Sequence, residues 1–406
     1  MLQLPYIQRH SRDYYRANIA LFIAGFITFS TLYDVQPLLP LLTDEFNISP
    51  TVGSLILSVS TFALAWTMPI SGSVSDAVGR KVIMTVAVVG SSMLALVSAH
   101  CDSLGWLLAL RLVQGVVLAG VPAVAMAYLG EEIEPRAIGP AMGLYIAGNA
   151  MGGMSGRVLT MWVADHFSWR IAIDAIGWLG LMLCVIFVLI LPPSRNFKRH
   201  EFQLYPLTVS LLGHLKNPHL RCLYAIAFLV MGGFVTLYNY VTFRLLAPPY
   251  SVAPTYVALI FISYAFGAAS STLMGGLIVR VGRGVAICFA LAIMTSGLLL
   301  TLLPALWCIV MGIVVFTIGF FGVHAIASAW VGMQTKSARA QASSLYLFFY
   351  YMGSSLSGTG GGLFWSNWGW IGIVLLILIL LVCAAMVILH LIHLGAAVKK
   401  YQNYSA

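Results

Sequence analysis

Charge is what this chain has least of. Lys and Arg number 21 and Asp and Glu 12 in 406 residues, 8% together, against 60% hydrophobic residues. A soluble globular domain is about 25% charged, so an ordinary soluble enzyme or binding module is excluded. Cysteine is sparse and scattered: Cys101, Cys184, Cys222, Cys288, Cys308 and Cys383 stand singly. No spacing among them suggests a disulfide framework or a metal site. No G-x-x-x-x-G-K-[ST] loop occurs, so no phosphate cradle for ATP is offered. The apolar stretches do not alternate with polar residues, which argues against a β-barrel. No cofactor and no metal are expected.

What is present is a series of long apolar runs, with a mean hydropathy of +0.95. A membrane-spanning helix needs about 20 apolar residues. Runs of that kind fall at about 17–42, 51–74, 82–99, 104–128, 139–162, 169–192, 221–246, 254–279, 285–303, 305–330, 342–364 and 369–393. The first is longer than the core of a signal peptide and reads as an uncleaved span. The expected fold is therefore an all-α integral membrane protein, with twelve transmembrane helices in two pseudo-symmetric six-helix bundles. The expected domains are 1–192, a central linker 193–220, and 221–406. Between Pro206 and Pro218 the linker holds a stretch, Leu207 to Leu215, with the pattern of a short interfacial helix.

Orientation follows from Lys and Arg. With both termini in the cytoplasm, the inner segments hold Arg9, Arg12, Arg16, Arg80, Lys81, Arg136, Arg195, Lys198, Arg199, Lys216, Arg221, Arg280, Arg283, Lys336, Arg339, Lys399 and Lys400. The outer loops hold Asp44, Glu45, Asp102 and Asp165 and no Lys or Arg. The net charge of +9 is thus a topology signal, and nucleic acid is not expected as a partner.

The halves repeat. Phe29-Ser-Thr-Leu-Tyr33-Asp34 matches Phe234-Val-Thr-Leu-Tyr238-Asn239. Leu144-Tyr145 and Gly152 match Leu345-Tyr346 and Gly353, and Trp169 matches Trp370, all at an offset of 201. Parallel six-span repeats mark transporters with a substrate site near the midplane.

A polar hinge, Gly72-Ser-Val-Ser-Asp76-Ala-Val-Gly79-Arg80-Lys81, separates the second and third runs. Its glycines are expected to allow close helix contact and a tight turn. Asp76 ends one helix while Arg80 and Lys81 begin the next, the reverse of what helix dipoles favour. Such charges need other partners. Glu131 and Glu132, on the same side of the membrane, lie within reach of Arg80 or Lys81. Asp76 is expected to face the N-terminus of the eleventh helix. The stretch reads as a conformational latch that holds the cytoplasmic side shut. It recurs weakly at Gly275 to Arg283, with Val279 in place of the Asp.

Three motifs carry a resemblance to the major facilitator superfamily over essentially the whole chain. Gly72–Lys81 matches that family's loop motif in full. Arg111-Leu-Val-Gln114-Gly115 resembles its fourth-span motif R-x-x-Q-G. Gly148-Asn149-Ala-Met-Gly152-Gly153 resembles the fifth-span antiporter motif G-P-x-x-G-G, with Asn149 in place of the proline. The resemblance implies inward- and outward-open states alternating around a central cavity. It implies a small-molecule substrate, protons and the lipid bilayer as partners, a monomer, and a multi-pass protein of a bacterial inner membrane. It implies that Arg111 takes part in proton coupling.

The residues themselves point the same way. A carboxylate in hydrocarbon is costly and should face the interior or a cavity. Burial disfavours its charge and a nearby cation favours it, which makes Asp34 a candidate proton carrier; capping a turn before Pro37 is the plainer alternative. Arg111 lies at a similar depth and is its preferred partner, a structural tie being the alternative. His324, the only histidine deep within a span, is a further proton-coupling candidate; a simple hydrogen bond to neighbours is the alternative. Arg157 and Asp174 are expected to form a structural charge pair. Tyr33, Tyr145, Asn149, Tyr238, Asn239, Tyr346 and Tyr350 are candidates to line a substrate cavity. Gly148, Gly152 and Gly156 repeat every four residues and permit close helix packing. The expected function is proton-coupled export of a small organic molecule by antiport. The alternatives are a proton symporter or facilitator for uptake of a sugar or metabolite, and, third, a membrane-embedded enzyme or sensor.

Overall fold

The computed structural model describes residues 6–197, 199, 204–335 and 339–404, with 204–207 and 396–404 described by backbone alone. Lys198, Lys336, and the side chains of Pro206, Leu207, Lys399 and Lys400 lie outside the described residues.

The chain is helical almost throughout. Its membrane-length helices are α1 (Arg12–Tyr33), α2 (Pro50–Val78), α3 (Arg80–Ala99), α4 (Leu104–Glu132), α5 (Ile138–His166), α6 (Trp169–Ile190), α7 (Pro218–Leu246), α8 (Pro254–Val281), α9 (Arg283–Leu300) and α10 (Leu306–Met333). The last helical stretch, Arg339–Tyr404, divides at Gly369, whose φ is 57°. This gives α11 (339–368) and α12 (370–404), and the twelve spans that the apolar runs predict. Among the described residues, ten stretches are long and apolar enough to cross a membrane, the undivided α11–α12 counted as one. The helix α5 matches α2 in length at 29 residues but is interrupted by glycines, Asn149, Arg157 and Asp165. Ser11, Ser49, Ser103, Ser168 and Asn217 precede α1, α2, α4, α6 and α7 and accept hydrogen bonds from free backbone N–H groups, which is what an N-cap residue supplies.

The chain divides into two compact units: unit 1 is Met1–Gln203 with Ser251–Ile262, and unit 2 is Leu204–Tyr250 with Ser263–Ala406. The break at 203/204 falls within the basic connector, whose helix Leu204–Lys216 opens unit 2. The start of α8, Pro254–Ala258 with a 3₁₀ turn at Leu259–Ile262, packs in unit 1. There Asp165 Oδ2 accepts hydrogen bonds from Thr255 N (3.1 Å) and Thr255 Oγ1 (2.5 Å).

The core of unit 1 is built on α1. The α5 glycines let the two backbones meet. A Cβ on Gly148 would lie 2.4 Å from Phe22 O, one on Gly152 2.2 Å from Phe26 O, and one on Gly156 2.7 Å from Ser30 Cα. Unit 2 repeats the device where α11 crosses α7: a Cβ on Gly353 would lie 2.0 Å from Phe228 O. These obstacles are backbone atoms and cannot step aside. Gly152→Ala is therefore expected to cost about 1–3 kcal/mol, the usual range for overpacking. Gly139→Ala, in open space on the same helix, is the neutral control. Thermal unfolding of the two variants checks the difference.

Candidate functional site

The most deeply placed charges of unit 1 meet where α1 ends. Asp34 is the residue that follows its last turn, and both Asp34 and Arg111 are buried, at 0% and 1% exposure. Arg111 Nη1 lies 3.0 Å from Asp34 Oδ1, which also accepts from Val35 N at 2.8 Å. The same guanidinium donates to Thr31 O (3.1 Å), Leu32 O (2.6 Å), Ile56 O (3.3 Å) and Gln114 Oε1 (2.7 Å). Thr31 and Leu32 belong to the last turn of α1, whose carbonyls have no intrahelical partner and favour a cation. The guanidinium's donors are thus spent on two helix backbones, one amide and one carboxylate oxygen. Among the described residues, Asp34 Oδ2 has no hydrogen-bond partner. A buried oxygen left unsatisfied is costly. This carboxyl can hold a proton at Oδ2 while Oδ1 stays on Arg111.

The R-x-x-Q-G spacing has a physical reason here. Gln114, one turn from Arg111, accepts from it and donates to Ser91 O at 3.0 Å, which ties the arginine to α3. At Gly115 a Cβ would lie 2.2 Å from Ser60 O, so the glycine admits α2. Ser60 Oγ in turn donates to Arg111 O at 2.8 Å. Nothing in the sequence singles out Ser60; only the packing of α2 on α4 does.

Arg157 and Asp174 do not pair. Arg157 is directed to α1 and the turn after it: Nε donates to Gln36 Oε1 (2.6 Å), Nη1 to Gly153 O (2.5 Å), and the guanidinium lies 4.0 Å from the Tyr33 ring centre and 5.5 Å from that of Phe261. The glycine crossing of α5 on α1 turns Arg157 this way. Asp174 instead faces His100, Oδ2 to Nε2 at 3.7 Å. Arg170 reaches Glu45 (3.6 Å) and Asp102 (3.4 Å). Tyr145 is buried on the same helix face as Asn149, whose Oδ1 lies 2.2 Å from where a Cβ on Gly25 would be. Gly25 is what admits the asparagine.

In unit 2, His324 Nδ1 and Tyr346 OH share a hydrogen bond of 3.0 Å. Both line a cleft too tight for a water molecule, with Tyr350 and Phe320 and the aliphatic side chains of Ile226, Ala227, Val230, Met231 and Val323. Tyr238 is fully buried; its hydroxyl meets Ser263 Oγ (2.5 Å) and Thr317 Oγ1 (2.7 Å). Asn239 is also fully buried. Neither lines this cleft. Phe316 and Phe320, absent from the sequence-based set, had one legible signal: with His324 they recur every four residues on α10.

The hinge at the end of α2 is a clasp within unit 1. Arg80 forms a two-pronged pair with Glu131, Nη2 to Oε1 at 2.6 Å and Nε to Oε2 at 3.1 Å. It also contacts Asp76 and Ser75 Oγ, and donates to Gly72 O at 3.4 Å. Gly79 makes the turn, with φ 123°. Gly72 differs from expectation: open space surrounds it, so close helix contact is not its role here. Lys81 and Glu132 also differ. Lys81 Nζ donates to Val188 O (3.0 Å) and Leu191 O (2.6 Å) at the end of α6. Those carbonyls are free and negative, and attract a lysine better than a more distant acid. Glu132 accepts from Asn196 N at 2.9 Å, and its backbone carbonyl from Ile7 N at 2.7 Å.

The sequence profile described as Major Facilitator Superfamily matches residues 21–332. The chain is 45% identical over 381 residues to the MFS-type transporter YybF of Bacillus subtilis, covering 94% of each. It is 44% identical over 382 residues to the inner membrane transport protein YnfM of Escherichia coli, covering 94% of this chain and 92% of YnfM. Among solved structures, a mutant of the nucleoside transporter NupG superposes with a TM-score of 0.75 at 14% identity, covering 93% of this chain and 99% of that one.

Proposed function

The chain belongs to the Major Facilitator Superfamily, and from that premise we propose that it exports a small organic molecule across a bacterial inner membrane in exchange for protons. The observation that carries this reading is the Asp34–Arg111 pair: a wholly buried carboxylate with one oxygen fixed and the other without a hydrogen-bond partner among the described residues. Arg111 keeps its charge at all working pH. Binding and release of the proton then fall to Asp34. The basic end of the molecule, with Arg9, Arg12, Arg16 and Arg80, is the cytoplasmic end in this reading.

The driving force is sufficient. One proton crossing 100 mV is worth about 2.3 kcal/mol. At about 1.4 kcal/mol per factor of ten, that sustains roughly a fiftyfold gradient of a neutral solute. A thermal-shift screen of the purified protein against metabolites and drug-like compounds supplies candidate cargo. In everted vesicles with an acid interior, the cargo is expected to accumulate while protons leave. Uptake by symport is the second reading, favoured by Asn149 in place of the antiporter motif's proline. It predicts accumulation in right-side-out vesicles with an acid exterior. Cargo movement with no accompanying proton flux in either preparation rejects both.

A further inference from the structure

The interiors of the two units differ in chemistry. Among the described residues, the buried formal charges are Asp34, Arg80, Arg111, Glu132 and Arg157, all in unit 1. The interior of unit 2 is largely aliphatic and holds an aromatic stack between α7 and α10. Four rings form a nearly parallel ladder. Phe316 and Phe234 are 6.3 Å apart with 4° between planes, Phe234 and Phe320 3.6 Å with 14°, and Phe320 and His324 6.1 Å with 5°. Phe316, Phe320 and His324 lie one turn apart on one face of α10, and Phe234 of α7 inserts between them. His324, the last rung, lines the cleft described above, beside Tyr346 and Tyr350. The Tyr350 ring lies 4.8 Å from it at 45°. The hydrogen bond between Nδ1 and the Tyr346 hydroxyl and the ladder together fix the imidazole plane. Nε2 is then the remaining polar atom of that ring.

We propose that this cleft, too tight for a water molecule in the present conformation and widened in another, takes a planar, uncharged aromatic or heteroaromatic part of the transported molecule, with His324 Nε2 making its one directed hydrogen bond. The proposal rests on the transporter reading above and adds the class of its cargo. A lining without a formal charge cannot compensate a buried ion. One imidazole and two phenols are too few to satisfy the hydroxyls of a sugar. A flat ring, by contrast, continues the stack, and aromatic pairs gain beyond their buried area. A site with a buried hydrogen-bonding group also discriminates against ligands that leave it unmatched. His324 then serves recognition, and proton handling rests with Asp34.

The test is equilibrium binding to the full-length protein in lipid nanodiscs, with empty nanodiscs as the partition control. Four probes of similar size separate planarity from charge: 1-naphthol, 1-naphthoate, 1-naphthylmethylammonium and decahydro-1-naphthol. Naphthol is expected to bind saturably and at least roughly tenfold more tightly than the other three, about 1.4 kcal/mol. His324→Ala is expected to weaken it by about another factor of ten, and His324→Gln to recover part of the loss. Phe320→Leu, which keeps bulk and removes stacking, is expected to weaken it several-fold. If His324→Ala does not fold, as read from its unliganded melting temperature, His324→Gln and Tyr346→Phe carry the test. The proposal falls if decahydronaphthol binds as well as naphthol, if a charged probe binds best, if no probe saturates, or if the variants bind like the parent. Proton-linked flux of a non-aromatic compound would remove this inference and leave the transporter reading standing. Saturable naphthol binding by a protein that moves no solute in exchange for protons would remove the export reading and leave a ring-binding cleft.

Discussion

Asp34→Asn is expected to abolish proton-driven cargo gradients and leave a folded protein. The asparagine keeps the shape of the carboxylic acid and an oxygen for Arg111 Nη1 and Val35 N, which sit 3.0 and 2.8 Å from Oδ1. It cannot take up or release a proton. In proteoliposomes under about 100 mV, the parent protein is expected to build a cargo gradient of roughly fiftyfold, and the variant to stop near equal concentrations. Exchange of labelled for unlabelled cargo, which needs no proton, is expected to survive. An unchanged gradient in the variant rejects Asp34 as the proton site. Arg111→Ala is the less informative change. It strands the buried Asp34 carboxylate and removes the donor to Thr31 O, Leu32 O and Ile56 O. Breaking a buried pair from one side costs about 3–5 kcal/mol, so its main effect is expected on folding, measured as loss of monodisperse protein.

Much of this site is legible in the sequence, because hydrocarbon makes charge conspicuous. Asp34 and Arg111 stand at one depth in their runs, and they meet. The spans are largely legible too, although α5 falls short of the others in apolarity and α11 and α12 form one apolar stretch that only Gly369 divides. What escapes is whatever depends on helix rotation. Arg157 and Asp174 also share a depth, yet α5 is turned by its glycines so that Arg157 faces Tyr33 and Gln36. Depth along a helix can be counted in residues; azimuth is set by packing. Short-range devices escape for a different reason. The parallel bridge of Ile7 to Ile133 joins two segments too brief to show any strand pattern. The division of α8 at Leu259–Ile262 occurs inside an unbroken apolar run that gives no hint of a 3₁₀ turn. Lys81 finds helix-end carbonyls, acceptors that every residue supplies and no side chain advertises.

The repeat makes the asymmetry between halves informative. The offset that pairs Gly120 with Gly322 places Ile313 opposite Arg111, and the repeat around Tyr33 and Tyr238 places Asn239 opposite Asp34. Both replacements remove charge. The packing glycines, by contrast, recur: Gly152 against Phe26 and Gly353 against Phe228. Close backbone contact recurs in both bundles, while the buried formal charges among the described residues lie in one. A transporter can couple and select with different halves, and the proposals for Asp34 and His324 divide in that way.

The hinge shows the same pattern and yields the second large expected effect. Gly282 repeats the left-handed turn of Gly79, with φ 80° against 123°. Val279, in the place of Asp76, is exposed, so the turn recurs without the clasp. In unit 1, Arg80 joins the end of α2 through Asp76 and Ser75, the start of α3 through its own backbone, and the end of α4 through Glu131. Charge-assisted bonds of this kind are worth about 1.5–3 kcal/mol each when formed to an ion, and here the Asp76 and Glu131 side chains are 35% and 32% exposed to water, which lowers that figure. If the clasp is made only when the cytoplasmic side is shut, its loss moves the population by that differential energy. Arg80→Ala removes every contact and is expected to shift inward-open against outward-open states by about tenfold, near 1.4 kcal/mol. Asp76→Asn leaves the two-pronged Arg80–Glu131 pair and is expected to shift them less, by about threefold, or roughly half that energy. Electron–electron distances between spin labels on the cytoplasmic ends of α2 and α11 read the populations directly. The graded order is the decisive feature. Equal distance distributions in both variants and the parent would reduce the clasp to a local staple of three helices.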